Sequence, residues 1–339
     1  MNNFILECNN TILEVKRLLK ENPEWISRYE KYAEKIDKNL DRIRTDKMLF
    51  REWAPLYLYM NINEAKGSLI FSLRYLGQDV ANLKIRKDKI LLSTTKFDTK
   101  NQRDFGCIIE VHDCEWRSKE AKNFRNHFSI YCKRTKKSGK GNEEHRIENL
   151  LITEFSKKKS IDKILWNIQP VKLAGISRFQ MPTPLGASSI KNLKYCGPSG
   201  GGIDILTRIG TGKGVKLCVM EVKDENVIKE PPEKAILQGL AYATFIRELL
   251  RSEGGEAWWK LFGFKGDLQK RLDLFVTCVM PDTSCNDTTF ANQIYEIETD
   301  RFHLNYIYFQ EKDNRATDIV TSLKQCRLMS SEIITNSVI

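Results

Sequence analysis

The first fifty residues place apolar side chains among charged ones with a helical period. Residues 12–19 carry apolar side chains three or four positions apart, and Pro23 then interrupts the pattern. Residues 25–43 continue as a charge-rich amphipathic segment. Positions three and four apart share one face of a helix. The pattern therefore predicts two helices that cover a sheet or a neighbouring domain.

From Ser68 the period changes to two, which is typical of strands. Apolar and smaller or polar residues alternate in residues 69–75 and 83–85, and two further strand-like runs cover 89–93 and 106–112. Polar turns separate these runs. The sequence thus predicts a small antiparallel β region after the helices.

Basic and aromatic side chains are interleaved between Trp116 and Tyr131. The basic ones are Arg117, Lys119, Lys122 and Arg125. Such a mixture can contact phosphates and stack on bases, which makes these four residues candidates for nucleic-acid binding. An amphipathic helix with a packed aromatic face explains the pattern equally well, so both interpretations stay open.

A basic segment with glycine and serine, KRTKKSGKG at 133–141, separates the two halves of the chain. It predicts a boundary between an N-terminal domain, 1–140, and a C-terminal domain, 141–339. The segment is typical of a solvated linker, and contact with phosphate is compatible with that because such contacts need charge more than order. The candidate contacts are Lys133, Arg134, Lys136 and Lys137.

The net charge of +11 is concentrated in the N-terminal half. Residues 1–140 hold 29 Lys and Arg against 19 Asp and Glu, whereas residues 141–339 hold 26 against 25. A strongly basic half beside a nearly neutral one favours a polyanionic partner, although solubility alone also produces basic domains.

The C-terminal half alternates helical and strand-like segments. Residues 143–159 predict a helix, residues 176–180 a first strand, and 203–206 with 215–222 a β-hairpin around a Gly-rich loop. A strong helix over 233–251 follows Pro231 and Pro232, and apolar runs at 272–280 and 302–309 predict further strands. This order of helix, three strands, helix and strand predicts an α/β fold.

The hairpin gathers charged side chains at its open end. Folding back around the glycine loop brings Asp204 within a rung or two of Glu221, and strand alternation puts Glu221 and Lys223 on one face. Two neighbouring carboxylates repel unless one is protonated or a cation lies between them. Oxygen ligands suit a hard ion such as Mg²⁺. Glu-x-Lys alone is a common tripeptide, and a hairpin end with solvated charges would also explain it.

The wider arrangement is more specific. Asp204 precedes Glu221 by 17 positions, Lys223 follows in a Glu-x-Lys tripeptide, and Gln238 and Tyr242 lie one turn apart on the next helix. This order resembles the PD-(D/E)XK nuclease superfamily, and the Gln-x-x-x-Tyr element resembles its RecB-like branch. The chain departs from the pattern at Ile203, where the superfamily has a loosely kept proline.

The resemblance implies a restriction-endonuclease-like core and a Mg²⁺ or Mn²⁺ site. Asp204, Glu221 and the carbonyl of Val222 would ligate the metal, and Lys223 would serve the attacking water. The opening helix would add one carboxylate; Glu148 is favoured because it lies beside the apolar stripe, and Glu144, one turn earlier, stays open. His145 stands where the RecB-like branch can place a histidine ligand, but an exposed histidine on a charged helix end is the simpler interpretation.

The Gln-x-x-x-Tyr pair on the next helix has two interpretations. Gln238 faces the hairpin and could donate a hydrogen bond to metal-bound water or to a phosphate. Packing alone would explain Tyr242.

A second phosphate-binding interpretation fails on its residues. Gly210-Thr-Gly-Lys-Gly214 looks like the end of a P-loop, but Gly214 stands where that motif needs Ser or Thr, and a strand follows instead of a helix. We therefore exclude nucleotide hydrolysis at this loop.

The sequence thus predicts a metal-dependent nuclease acting on phosphodiester bonds, with DNA as the expected substrate. The alternatives are a catalytically inactive nucleic-acid-binding protein with the same fold, and a partner-binding protein whose basic half meets an acidic protein. A homodimer would provide two active sites for cutting both strands. Nine scattered cysteines and the lack of a long apolar run or signal sequence predict a cytoplasmic protein without a membrane partner.

Overall fold

A computed structural model describes residues 3–48, 55–62, 69–86, 89–95, 105–134, 143–156, 167–175, 178–187, 192–291, 293–313, 315–323 and 334–337. Over these residues the protein has a mixed α/β fold. None of the helices in these segments combines the length and the apolar character needed to cross a membrane.

The described residues contain seven helices. They are α1 (Asn3–Glu21), α2 (Glu24–Asp37), α3 (Leu40–Met48), α4 (Lys119–Arg134), α5 (Glu143–Phe155), α6 (Pro232–Arg251) and α7 (Gly255–Leu261). The first predicted helix is confirmed as α1, and the segment predicted over 25–43 is helical but is divided between α2 and α3 by a turn at residues 38 and 39. In α1 the buried side chains recur every three or four residues, so one face of the helix is covered.

An antiparallel sheet follows these helices, as predicted. Its strands, in both chain and spatial order, are β1 (Tyr57–Met60), β2 (Leu69–Tyr75), β3 (Gln78–Arg86), β4 (Lys89–Thr94) and β5 (Cys114–Glu115). The strand predicted over 106–112 is wrong. The backbone N–H of Thr94 donates to Val111 O at 2.9 Å, but Asp113 has a positive φ of 46°, and the strand that pairs with β4 in this region is the later Cys114–Glu115.

Twelve further strands lie in the described part of the C-terminal half. They are β6 (Gln169–Pro170), β7 (Met181–Pro182), β8 (Leu185–Gly186), β9 (Lys194–Tyr195), β10 (Gly202–Ile203), β11 (Ile205–Ile209), β12 (Lys216–Val222), β13 (Asp273–Pro281), β14 (Gln293–Ile297), β15 (Asp300–Lys312), β16 (Arg315–Thr321) and β17 (Ile334–Ser337).

The large sheet is mixed. Its order is β17-β14-β15-β13-β12-β11-β6, with β16 also paired to β15. The hairpin β11–β12 is antiparallel, whereas β12, β13 and β15 run parallel to one another. The carboxyl ends of these three parallel strands therefore meet at one edge of the sheet, and β12 carries Glu221 to that edge.

Helices cover both faces of this sheet. Buried residues of α5, such as Leu151, pack with Met220 and Val222 of β12, whereas α6 packs on the opposite face with Leu217 and Val219. Gly239 permits the close approach of α6, because a Cβ there would lie 3.1 Å from Val276 Cγ1 and 3.6 Å from Glu221 Cβ. Helices α5 and α6 therefore pack on the same strand, β12, from opposite sides.

The predicted first strand is wrong in position. Residues 176 and 177 lie outside the described residues, and Arg178 forms only an isolated bridge with Tyr59. The strand that pairs with β11 on the side away from β12 is β6, which begins seven residues before the predicted start. Trp258 and Trp259 lie in helix α7, where both are buried.

The N-terminal helices pack on the C-terminal half. Trp25 and Tyr29 of α2 contact Phe245 of α6 edge-on, with ring centroids 5.8 and 5.1 Å apart. The indole N–H of Trp258 donates to Tyr29 O at 3.1 Å. One cluster of buried side chains continues from α1 and α2 through β2 and β3 to α6. The predicted boundary at 140/141 therefore divides a shared core.

Candidate metal centre

The β11–β12 hairpin places two carboxylates opposite each other. Ile205 pairs with Met220, so Asp204, one residue earlier, stands across from Glu221. Asp204 is held in place by the backbone N–H of Val222, which donates to its Oδ2 at 2.8 Å. The sequence prediction that Asp204 and Glu221 meet is confirmed.

A third carboxylate reaches the pair from helix α5. Glu144, Asp204 and Glu221 each offer an oxygen, and these oxygens all lie within 4.8 Å of one another. The sequence favoured Glu148 for this place and kept Glu144 open. Among the described residues, Glu144 is the helix residue that completes this three-carboxylate cluster.

Glu148 lies one helical turn further along and has a different partner. Its side chain is buried, and His145 Nδ1 lies 2.8 Å from Glu148 Oε1. That hydrogen bond is the main reason why the pKa of His145 is raised. Glu148 still acts on the cluster, because its negative charge contributes to raising the pKa of Asp204.

Lys223 links two of the three carboxylates. Its ammonium donates to Glu221 Oε1 at 2.8 Å and to Glu144 Oε1 at 2.7 Å. The prediction that Glu221 and Lys223 share one face of the strand is confirmed by the first contact. Burial acts to lower the pKa of Lys223, but the two carboxylates outweigh it and the pKa is raised overall, so the ammonium stays charged.

The two hairpin carboxylates have strongly altered acidity. Burial raises the pKa of Glu221 to about 7, although Lys223 opposes the shift. Burial also raises the pKa of Asp204 well above its usual value, and the charges of Glu221 and Glu148 add to the effect. One lysine therefore does not balance the carboxylates gathered here, and the cluster favours additional positive charge.

Gln238 and Tyr242 of α6 lie beside the cluster, on the same face of the sheet as Glu221. Gln238 Nε2 donates to Tyr242 Oη at 3.5 Å. Burial raises the pKa of Tyr242 to about 12, and the charges of Glu221 and Asp204 contribute. A Cβ on Gly201 would lie 3.2 Å from Tyr242 Oη, so the glycine backbone packs against this hydroxyl. The neighbouring Gly200 has no space for a side chain, because its Cβ would lie 2.0 Å from Thr183 O.

The cluster fits a divalent cation on two counts. The donors are carboxylate oxygens, which suit Mg²⁺ and Mn²⁺. Glu221 is 1% exposed, and its Oε2 has no hydrogen-bond partner within the described parts of the chain. A buried carboxylate oxygen without a partner is costly unless something else coordinates it.

The four predicted nucleic-acid contacts in α4 and just before it differ in their exposure to solvent. Arg117, Lys119 and Lys122 are exposed. Arg125 is buried: its guanidinium lies 4.0 Å from the Trp116 ring centroid and donates to Trp116 O at 2.6 Å. The expectation that Arg125 contacts phosphate is therefore corrected to a packing role.

The predicted contacts of the basic linker are beyond what the structure describes. Lys136 and Lys137 lie outside the described residues, as do the side chains of Lys133 and Arg134.

A pair of arginines near α5 was not predicted from the sequence. Arg74 of β2 and Arg178 lie over the rings of Tyr59 and Tyr57, at 4.3 and 4.4 Å from the ring centroids. The two arginines are about a hundred positions apart, and neither belongs to a motif. Contacts between the N-terminal sheet and residues 178–180 bring them together, since Met60 N–H donates to Arg178 O and Arg74 Nη1 donates to Gln180 Oε1.

Comparison with known proteins gives no relative: no family model, no curated protein and no solved structure matches this chain.

Proposed function

We propose that the protein is a metal-dependent nuclease that hydrolyses phosphodiester bonds, with DNA as its substrate. One observation carries the proposal. Carboxylates from α5, from the residue just before β11 and from the end of β12 converge within 4.8 Å, beside Lys223, and the buried Glu221 supplies an oxygen without a partner in the described chain. Such a set is typical of a site that positions a metal for attack on a phosphate.

The order of elements supports the same conclusion. The elements α5, β6, β11, β12, α6 and β13 occur in this order along the chain, as helix, three strands, helix and strand; the short strands β7 to β10 are inserted before β11, and α7 is inserted before β13. This is the order expected of the restriction-endonuclease-like core that the PD-(D/E)XK resemblance implies. We therefore propose that core as the catalytic unit.

Each residue has a separate task in the proposed reaction. Asp204, Glu221 and Glu144 would hold Mg²⁺ or Mn²⁺, and the Val222 carbonyl is the further ligand that the resemblance implies. The bound ion would lower the pKa of a coordinated water and neutralise charge on the phosphate. Because the pKa of Lys223 is raised, its ammonium orients the water or stabilises the phosphate by donating hydrogen bonds, and does not act as a base. Gln238, paired with Tyr242, would hold the water or a phosphate oxygen by a hydrogen bond.

DNA is proposed because of the charge of the whole chain. The net charge is +11, and most of it lies before residue 141. Exposed cations there, including Arg117, Lys119 and Lys122, would contribute to attraction of the polyanion. A homodimer would place two sites on a duplex, and a cytoplasmic location would suit such an enzyme.

A cleavage assay tests the proposal directly. Plasmid and single-stranded DNA would be incubated with the purified protein in Mg²⁺, Mn²⁺ or EDTA, alongside Asp204→Asn and the control Asp224→Asn. Asp224 is exposed and follows Lys223, so its variant removes the same charge outside the cluster. We expect metal-dependent cleavage, a loss of about 100-fold or more in Asp204→Asn, and little change in Asp224→Asn.

Two other outcomes would contradict the proposal. Retardation of DNA without cleavage would favour the inactive nucleic-acid-binding alternative. Equal cleavage by wild type and Asp204→Asn would show that the nuclease activity does not come from this cluster.

A further inference from the structure

A pair of arginines lies next to the metal centre on a surface that the N-terminal sheet provides. Arg178 is held at several points. Its carbonyl accepts from the Met60 N–H at 2.8 Å, its guanidinium lies 4.4 Å from the Tyr57 ring centroid, and its Nη1 donates to Asn149 Oδ1 at 3.4 Å. Asn149 directly follows Glu148 on α5. The guanidinium is therefore fixed beside the helix that brings Glu144 to the site.

Arg74 is fixed nearby. Its Nε donates to Asp79 Oδ1 at 2.7 Å and its Nη1 to Gln180 Oε1 at 3.3 Å. Gln180 in turn packs against Gly202, where a Cβ would lie 2.8 Å from the Gln180 Cδ. Gly202 belongs to β10, which ends one residue before Asp204. A continuous set of contacts thus joins Arg74 to the strand that leads into the carboxylate cluster.

Tyr59 connects the arginines to the acidic site. The buried Tyr59 ring lies under Arg74, and the charges of Arg178, Arg74 and Glu148 all act on its hydroxyl. The hairpin between β2 and β3 also touches α5, since a Cβ on Gly77 would lie 2.4 Å from His145 O. The sheet and the metal centre therefore share one surface.

The charge of Arg178 is not neutralised by an ion pair in the described residues. Within the described chain, the carboxylates near these cations pair with other residues: Asp79 with Arg74, and Glu144 and Glu221 with Lys223. Lys172 is close enough for Arg178 to repel it, which adds a second positive charge on this side. A half-buried guanidinium that lies over an aromatic ring and has no carboxylate partner in the described chain is preorganised for an anion.

We propose that Arg178, supported by Arg74, binds a backbone phosphate next to the scissile one, so that the substrate is a polynucleotide strand lying across both α5 and the N-terminal sheet. This inference rests on the proposed nuclease function. It follows that Arg178 acts on substrates with at least two phosphates and has no role toward a substrate with only one. It also follows that the N-terminal sheet is a part of the substrate-binding surface.

Two substrates and a matched control variant test this. Arg178→Gln would be compared with Arg271→Gln, which also removes one arginine charge. Arg271 precedes β13, forms an ion pair with Asp273 at 3.6 Å, and lies at the opposite end of the parallel strands, roughly 30 Å from Lys223. Binding of a labelled oligonucleotide duplex in EDTA would be measured over a range of salt concentrations. Hydrolysis would be measured on the same duplex and on bis(p-nitrophenyl) phosphate, a diester with a single phosphate.

We expect Arg178→Gln to weaken duplex binding by about tenfold and to reduce the slope of log affinity against log salt by about 0.9, the contribution of one phosphate contact. KM for the duplex should rise with little change in kcat, and hydrolysis of bis(p-nitrophenyl) phosphate should be unchanged. Arg271→Gln should match wild type. Arg178→Lys keeps the charge without the planar group, and its affinity should lie between wild type and Arg178→Gln.

The outcomes separate this inference from the proposed function. If wild type cleaves DNA but Arg178→Gln and Arg178→Lys keep the wild-type slope and KM, the inference is wrong and the nuclease proposal stands. If wild type binds without cleaving and Arg178→Gln reduces the salt slope, the nuclease proposal fails and the phosphate contact stands. Absence of duplex binding by wild type would overturn the inference.

Discussion

At the scale of single residues, Glu221 lowers the stability of the fold in order to serve the proposed metal site. It is 1% exposed, one of its oxygens lacks a partner in the described chain, and burial raises its pKa to about 7. A carboxyl group that is hard to ionise in the folded protein destabilises the fold once the pH ionises it. Such a cost is expected at functional sites, where it is offset by the ligand that the site binds.

Glu221→Gln should therefore stabilise the protein when metal is absent. The folded pKa of Glu221 is above its unfolded value near 4.5, so the folded state holds the proton more tightly, and stability falls as pH rises between about 4.5 and 7. Glutamine does not titrate. In EDTA at pH 8 we expect the variant to gain about 1–3 kcal/mol, or roughly 2–6 °C in Tm, and the gain to shrink toward pH 5.

Thermal unfolding from pH 5 to 8 would measure this gain. Glu225→Gln is a suitable control because Glu225 is exposed and lies four residues further along the chain. A Tm for Glu221→Gln that lies below wild type at pH 8, or a difference that does not depend on pH, would contradict the account of this carboxylate.

At the scale of elements, local patterns predicted the hairpin and the helix after it. Glycines flanked by two apolar runs fixed β11 and β12, and the paired prolines before an amphipathic run fixed α6, because both signals lie within one segment. The choice between Glu144 and Glu148 could not be made that way. Both residues lie on one side of α5, four apart, and only the packing of α5 against β12 decides which one meets Lys223.

The first strand shows the same limit. The ladder that extends the sheet beyond β11 consists of Gln169 and Pro170 alone. Two residues are too few for a period of two to be recognised, so the sequence pattern favoured the more apolar segment at 176–180. The arginine pair was also beyond prediction, since Arg74 and Arg178 meet only through contacts between distant segments.

The two candidate carboxylates of α5 should differ in their effect on activity. Glu144 reaches Lys223 and the cluster, whereas Glu148 is bonded to His145. Glu144→Gln should lower cleavage by about 100-fold and raise the Mg²⁺ concentration needed for half-maximal rate. Glu148→Gln keeps a hydrogen-bond acceptor for His145 and should lose less than about tenfold.

Magnesium titrations of the cleavage rate in both variants would measure this difference. A larger loss of activity in Glu148→Gln than in Glu144→Gln would favour Glu148 as the metal ligand, as the sequence predicted. It would also show that Glu144 serves only to hold Lys223.

At the scale of the whole molecule, the chain does not divide where its charge does. The basic linker predicted a boundary near residue 140, but α1 and α2 cover α6, the helix that carries Gln238 and Tyr242. Amino-acid composition gives the charge of a segment, but it does not show which part of the protein the apolar face of a helix packs on. The basic half and the catalytic half therefore differ in charge but share one hydrophobic core.

An isolated 141–339 fragment should be poorly folded. Loss of α2 exposes Phe245 and Trp258, and burial of an aromatic side chain contributes on the order of 2–3 kcal/mol. We expect no cooperative unfolding transition in the fragment, and capture of a co-expressed 1–48 segment in a complex. Circular dichroism with thermal scans would measure this. A fragment that unfolds cooperatively at the Tm of the full chain would show that the N-terminal helices are dispensable.

The central claim is that Asp204, Glu221 and Glu144 together bind a divalent cation. Calorimetric titration of the full-length protein with Mn²⁺ tests it most directly, because binding is observed without DNA or catalysis. The account predicts saturable binding in wild type and in Asp224→Asn, and a loss of affinity of about tenfold or more in Asp204→Asn, since one of three charged ligands is removed. No saturable binding by wild type, or equal affinity in Asp204→Asn, would contradict it.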